Sequence, residues 1–196
     1  MAWQTITYRL TSDCPMLMHC GQTADPLNHW SKQMKAISGK RKKTDADYEE
    51  LAKIEFFAAL YIDKTGPIIP SANIDSMLVN AAKKLREGPL VKSGVFCLKS
   101  ASLEYDGPRD PAGLWAAETF RHVAIVRVQM ARVARTRPVF NEWAADVSLN
   151  IEDSLVNPAQ VDAWMNVAGS QIGLGDWRPQ HLSLIHISEP TRLRRI

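Results

Sequence analysis

Four stretches of this chain carry residue types that can do chemistry. The first is "SDCPMLMHCGQTADPLNHW", where His19 and Asp25 could divide general acid and base work between an imidazole and a carboxylate. A structural, hydrogen-bonding histidine is the competing reading. The second is "IGLGDWRPQH", spanning 172–181. Gly173 and Gly175 permit positive φ and leave their amides uncovered, so a phosphate can approach. Arg178 could grip that phosphate as a two-pronged donor and Trp177 could stack on a base; alternatively Gly173 caps a helix and Trp177 plugs the core. The third and fourth are basic. Lys40, Arg41, Lys42 and Lys43 form a run that is either a solvated loop or a grip on a phosphate backbone. Arg132, Arg135 and Arg137 lie in the strand-like "HVAIVRVQMARVARTRP" with Arg127. Arg135 and Arg137 share a face, but Arg127 and Arg132 differ in parity, so one stripe needs a bulge. A basic track for a single strand and a charge-defended sheet edge both fit.

Several chemistries have no sequence support. There is no G-x-S-x-G and no phosphate-binding loop ending in Gly-Lys-Ser/Thr. Cys14, Cys20 and Cys97 lack the close pairing of a zinc site, so neither a metal nor a cofactor is expected.

These residues need elements to hold them. "TITYRL" alternates as a half-buried strand with Ile6, Tyr8 and Leu10 on one face. A short amphipathic piece ends at Gly39. Thr44 with Asp47 forms a capping box for a helix over about 45–60, whose stripe is Tyr48, Leu51, Ala52, Phe56 and Ala59. Pro70-Ser71 opens a second helix with the stripe Ile74, Met77, Leu78, Ala81 and Leu85, ended by Gly88-Pro89. "VFCLKS" and "SLEYDG" read as short strands, "PRDPAGLW" as a surface loop, and 122–138 with "AADVSLNIE" as a strand pair. Asn157 caps a last helix from Pro158, with Val161, Trp164, Met165, Ala168 and Ile172 on one face. This order is α+β, with helices on an antiparallel sheet.

From Leu182 the chain reads "LSLIHISEPTRLRRI", which resembles the translation of a sequencing adapter. The expected organisation is one α+β domain over 1–181 followed by a non-native, adapter-derived tail over 182–196, with the natural C-terminus missing. The full chain has 24 Lys+Arg against 21 Asp+Glu, and removing Arg192, Arg194, Arg195 and Glu189 leaves 21 against 20. Net charge therefore argues for no particular partner. No apolar run approaches the roughly 20 residues of a membrane span, and "MAWQTITYRL" has no signal-peptide core. A cytoplasmic location, in the host cell of a phage or mobile element, is the expectation.

"CPMLMHCGQ" after the first strand, "IIPSANIDSMLVNAA" at a helix start and "IGLGDWRP" after the last helix together resemble, in order and spacing, landmarks of the RAMP superfamily, the RNA-binding backbone proteins of CRISPR effector complexes. The chain departs from that pattern at Ser71-Ala72 and Asp176-Trp177. It also resembles uncharacterised proteins of phage and environmental DNA. The RAMP resemblance implies a ferredoxin-like, RRM-related sheet with inserted loops. It further implies that Gly173, Gly175 and Arg178 touch a nucleic-acid backbone, that Ser71 and Asn73 lie near it, that 31–43 forms a mobile arm, and that copies align head to tail. The function expected is non-catalytic binding of single-stranded RNA or DNA. A metal-independent endoribonuclease using His19 or Asp25, and a phage structural or assembly protein, are the alternatives.

Overall fold

A computed structural model of the chain describes residues 2–128, 130–176 and 192–195. Its elements run β1 (Trp3–Thr11), β2 (Met16–Leu17), α1 (His29–Ser38), α2 (Asp45–Ala59), β3 (Ile62–Asp63), β4 (Gly66–Ile69), α3 (Ser71–Lys84), α4 (Gly88–Gly94), β5 (Val95–Cys97), β6 (Ala101–Ser102), α5 (Pro111–Ala116), β7 (Arg121–Val128), β8 (Ala131–Phe140), β9 (Ala144–Glu152), α6 (Pro158–Val167) and β10 (Arg192–Arg195).

The main sheet has the order β10-β1-β9-β5, with every neighbouring pair antiparallel. Taken with α3 and α6, the core succession is β1-α3-β5-β9-α6-β10. Strands β1-β9-β5 take the 1-3-2 positions of the expected ferredoxin-like 4-1-3-2 arrangement, and its fourth position is filled by Arg192–Arg195 of the tail. Its centre is the nine-residue register from Trp3↔Glu152 to Thr11↔Ala144. Period-2 alternation sends Ile6, Tyr8, Leu10, Val147, Leu149 and Ile151 to one face. There they pack with Ile74 and Leu78 of α3 and Trp164 of α6. Burying each such aliphatic side chain contributes about 1.5–3 kcal/mol. The opposite face carries a polar ladder: Thr5 donates to Asn150 (2.8 Å), Thr7 and Ser148 hydrogen-bond (3.0 Å), and Arg9 bridges Asp146 (3.0 Å) and Glu104.

Caps set the helix starts as expected. Thr44 and Asp47 form their capping box, and Asn157 forms another with Gln160. Lys40 ion-pairs with Asp47, and together with the Thr44 amide it holds that carboxyl down at about 2. Four stripe residues fall outside the buried core: Tyr48 in the first turn of α2 and Leu85 just past the end of α3 are exposed, Leu51 and Ala52 are half-buried, and α2 buries Ile54 and Ala58 beside Phe56 and Ala59.

The insertions differ more from expectation. Gly88-Pro89 does not merely end α3 but starts α4, with Pro89 in the first turn, where its missing N–H costs nothing. "PRDPAGLW" contains α5 rather than a plain loop. Asp110 accepts the Gly113 amide as its cap, and Leu114 is fully buried. The stretch 122–138 is not one strand paired with 144–152. It folds on itself as the β7–β8 hairpin, in continuous register from Arg121↔Pro138 to Val128↔Ala131, while β9 pairs with β1. β8 also joins β2, giving a second sheet of order β2-β8-β7; β3-β4-β6 is a third. In the tail set aside from fold reasoning, Arg192–Arg195 occupies the outer edge of β1.

No helix among the described residues is long and apolar enough to cross a membrane.

If α5 belongs to the core, Leu114→Ala should cost about 2–5 kcal/mol, read as a fall in thermal midpoint. The exposed Leu155 is the control, and an effect of Leu114→Ala no larger than that of Leu155→Ala would show that α5 is a surface appendage.

Candidate functional site

β1 ends where β9 begins, and the insertions attached at those two points are stitched together there. Ser12 N–H donates to the Trp143 carbonyl and Trp143 N–H to Ser12 Oγ, both at 2.9 Å. Two residues of β2 then pair with β8, at Met16↔Phe140 and Leu17↔Val139. Beyond them Met18 N–H donates to Pro138, Cys20 N–H to Ala59 (both 2.9 Å), and Tyr61 Oη to the His19 carbonyl (3.1 Å). His19 is thereby clamped between β8 and the end of α2.

Where β2 stops, the edge of β8 still needs an acceptor, because a buried backbone N–H left unpaired is costly. Glu55 of α2 supplies it. One carboxylate oxygen accepts from Thr136 N–H (3.1 Å) and the other pairs with the Arg135 guanidinium.

The glycine loop reaches the same place. After α6 a wide turn over Ala168–Ile172 ends at Gly173, whose φ is +71° and whose N–H donates to Ala168 (2.8 Å). Gly173 is therefore a helix cap. Gly175, at φ +75°, passes so close to β2 that a Cβ would stand 2.7 Å from the Leu17 carbonyl oxygen. That oxygen accepts from Asp176 N–H at 2.9 Å. Two of the loop's amides are thus engaged within the fold, and the loop's product is the position of Asp176. Its carboxylate pairs with Arg137 and lies 3.3 Å from His19 Nδ1.

His19, Arg135, Thr136, Arg137, Glu55 and Cys20 line a cavity of about 280 Å³. Ala58, Ala59 and Met34 supply part of its apolar wall. His122 is the cross-strand neighbour of Arg137. Burial and the Arg137 charge hold the imidazoles of His19 and His122 below their ordinary value. Burial and the neighbouring Arg135 charge likewise lower the pKa of Arg137, with Glu55 opposing.

Sequence expectations are sorted by this geometry. His19, Arg135 and Arg137 come together as cavity-lining residues, and Gly173 and Gly175 hold the adjoining loop. Trp177 and Arg178 lie outside the described residues. Asp25 does not face His19 as an acid–base partner; its carboxylate closes a turn on the Leu27 amide (2.8 Å). Arg132 does not join a stripe with Arg135 and Arg137. No bulge interrupts β8, so the register leaves Arg132 on the opposite face, across from Arg127. Ser71 and Asn73 lie in the first turn of α3, where the Ser71 amide donates to Ser100 Oγ (3.3 Å) and the Asn73 amide to Pro70 (3.0 Å). Neither lines the cavity. Lys40–Lys43 occupy the α1–α2 connection, with Arg41 and Lys42 exposed, Lys40 tied to Asp47 and Lys43 donating to the Lys40 carbonyl (3.1 Å). Sequence reading missed Glu55, Asp176 and Cys20; Asp176 was visible only as an acid inside the glycine loop. Among the described residues no three His, Cys, Asp or Glu side chains gather to hold a metal.

No protein-family model matches this chain, and no curated protein matches it.

Two predictions test this geometry. Gly175→Ala should destabilise the fold by about 1–3 kcal/mol, since a side chain there meets both a positive φ and the Leu17 carbonyl; an unchanged thermal midpoint would refute the close approach. His19 should titrate below 6.5 by NMR. Its folded value lies below its unfolded one, so the unfolded chain binds more protons across that window. The stability His19 contributes is present above about 6.5 and lost as pH falls through the folded value. A His19 midpoint at or above 6.5 in the folded protein would contradict this.

Proposed function

We propose that this chain binds single-stranded nucleic acid without cutting it, seating backbone phosphate at the cavity between β8, the end of α2 and the loop after β2. The observation that carries this reading is convergence. Arginines of β8 and a histidine from the loop after β2 are far apart in sequence, yet they line one cavity, and Asp176 of the glycine loop contacts both Arg137 and His19. Guanidinium groups with an imidazole are phosphate-binding chemistry. The exposed Arg41 and Lys42, on the connection before α2 and away from the cavity, offer further phosphate contacts that do not read sequence. The β1-β9-β5 order with α3 and α6, three strands of the ferredoxin-like arrangement, supports the likeness to the RAMP superfamily, and with it an origin in a phage or mobile element. Head-to-tail association of copies along the strand belongs to the same reading. It is supported by the hairpin side chains of Ile125 (74% exposed) and Met130 (87% exposed), an apolar projection suited to contact.

One observation favours a second reading, RNA cleavage. Asp176 orients His19 through Nδ1, which leaves Nε2 to take the proton of a 2′-hydroxyl. The freed oxygen attacks the adjacent phosphorus, the P–O5′ bond breaks, and the 5′-oxygen takes a proton from water, with Arg137 beside the developing charge.

Fluorescence anisotropy with labelled single-stranded RNA and DNA tests both. Binding should weaken steadily as salt rises, and Arg137→Gln should weaken it on the order of tenfold while the protein remains folded. No binding to either strand at low salt would refute the proposal. Intact RNA after long incubation would exclude cleavage, whereas cleavage abolished in His19→Ala with binding retained would make the second reading the right one.

A further inference from the structure

The charges at the cavity cancel: Arg135 and Arg137 face Glu55 and Asp176. An anion gains the full charge of an arginine here by displacing one carboxylate, and the two are not equally displaceable. The Glu55 side chain is 9% exposed, uses both oxygens and completes the backbone bonding of β8. The Asp176 side chain is 36% exposed, rides on a loop and directs one oxygen at both Arg137 and His19. Asp176 is the exchangeable group.

Resting on the binding function proposed above, we infer that Asp176 is an internal stand-in for a ligand phosphate, and that the cavity selects a terminal phosphomonoester of a strand over an internal phosphodiester. A diester carries one negative charge, so exchanging it for a carboxylate brings no gain in charge. A phosphomonoester carries about −1.5 to −2 at neutral pH and three acceptor oxygens. It offers more charge than Asp176 and enough oxygens for Arg135, Arg137 and His19 together. Asp176 thus sets specificity, by making weakly charged phosphates compete on equal terms.

The test uses the full chain and internally labelled oligonucleotides of one sequence with a 5′-phosphate, a 3′-phosphate or hydroxyls at both ends, and inorganic phosphate as competitor. A phosphorylated end should bind on the order of tenfold more tightly than the hydroxyl-ended strand. The 5′ and 3′ forms show which end is taken, and inorganic phosphate should erase the advantage. Asp176→Asn, verified as folded by its melting curve, should strengthen binding of the hydroxyl-ended strand and narrow the gap. Equal affinities for phosphorylated and hydroxyl ends, with salt-sensitive binding retained, would overturn this inference and leave the binding function standing. Asp176→Asn weakening every strand alike would also overturn it. No binding to any strand would remove both.

Discussion

The pairing of β1 with β9 is the constraint on which the rest of this molecule depends. The nine-residue register fixes which side chains of both strands face the helices. It also fixes which chain ends lie side by side, since Thr11 is opposite Ala144. Everything inserted after β1 and everything inserted before β9 must start from that corner. The β2–β8 pairing, the clamp on His19 and the seat for Asp176 follow from two insertions sharing one point of departure.

That corner is short of strand. β2 offers two residues to a β8 of ten, and the chain makes up the deficit with side chains. Glu55 acts partly as a piece of backbone, supplying the acceptor a longer β2 would have supplied. In doing so it brings a carboxylate to the arginines. The electrostatics of the cavity are in this sense a by-product of incomplete sheet pairing, which is why charged groups meet there in nearly balanced numbers.

What could be read from the sequence was local. The box at Thr44/Asp47, the cap at Asn157, the alternation of β1, and the shared face of Arg135 and Arg137 are all encoded within a few residues of one another. The hairpin could not be read, because "VQMA" between β7 and β8 contains no glycine, asparagine or proline to announce a turn. Glu55 and Arg135 are 80 positions apart. Only the placement of α2 across β8 makes them partners, and no pattern along one chain reports such a placement. Sequence offers two uses for the glycine loop, and the cap at Gly173 is the one found, while the crossing at Gly175 is not legible. Open amides and a close-packed crossing require the same residues, and only the Leu17 carbonyl beneath Gly175 tells them apart.

The distance along the chain between the parts of the cavity also governs when it can exist. Chains emerge from synthesis N-terminus first. β1 has no partner until β9 has been made, and Arg137 has no Asp176 until after α6. Until then the nascent chain carries its arginines and the apolar face of β1 without their native cover. A site built from local contacts could mature piece by piece; this cavity is complete only once α6 and the glycine loop have been made.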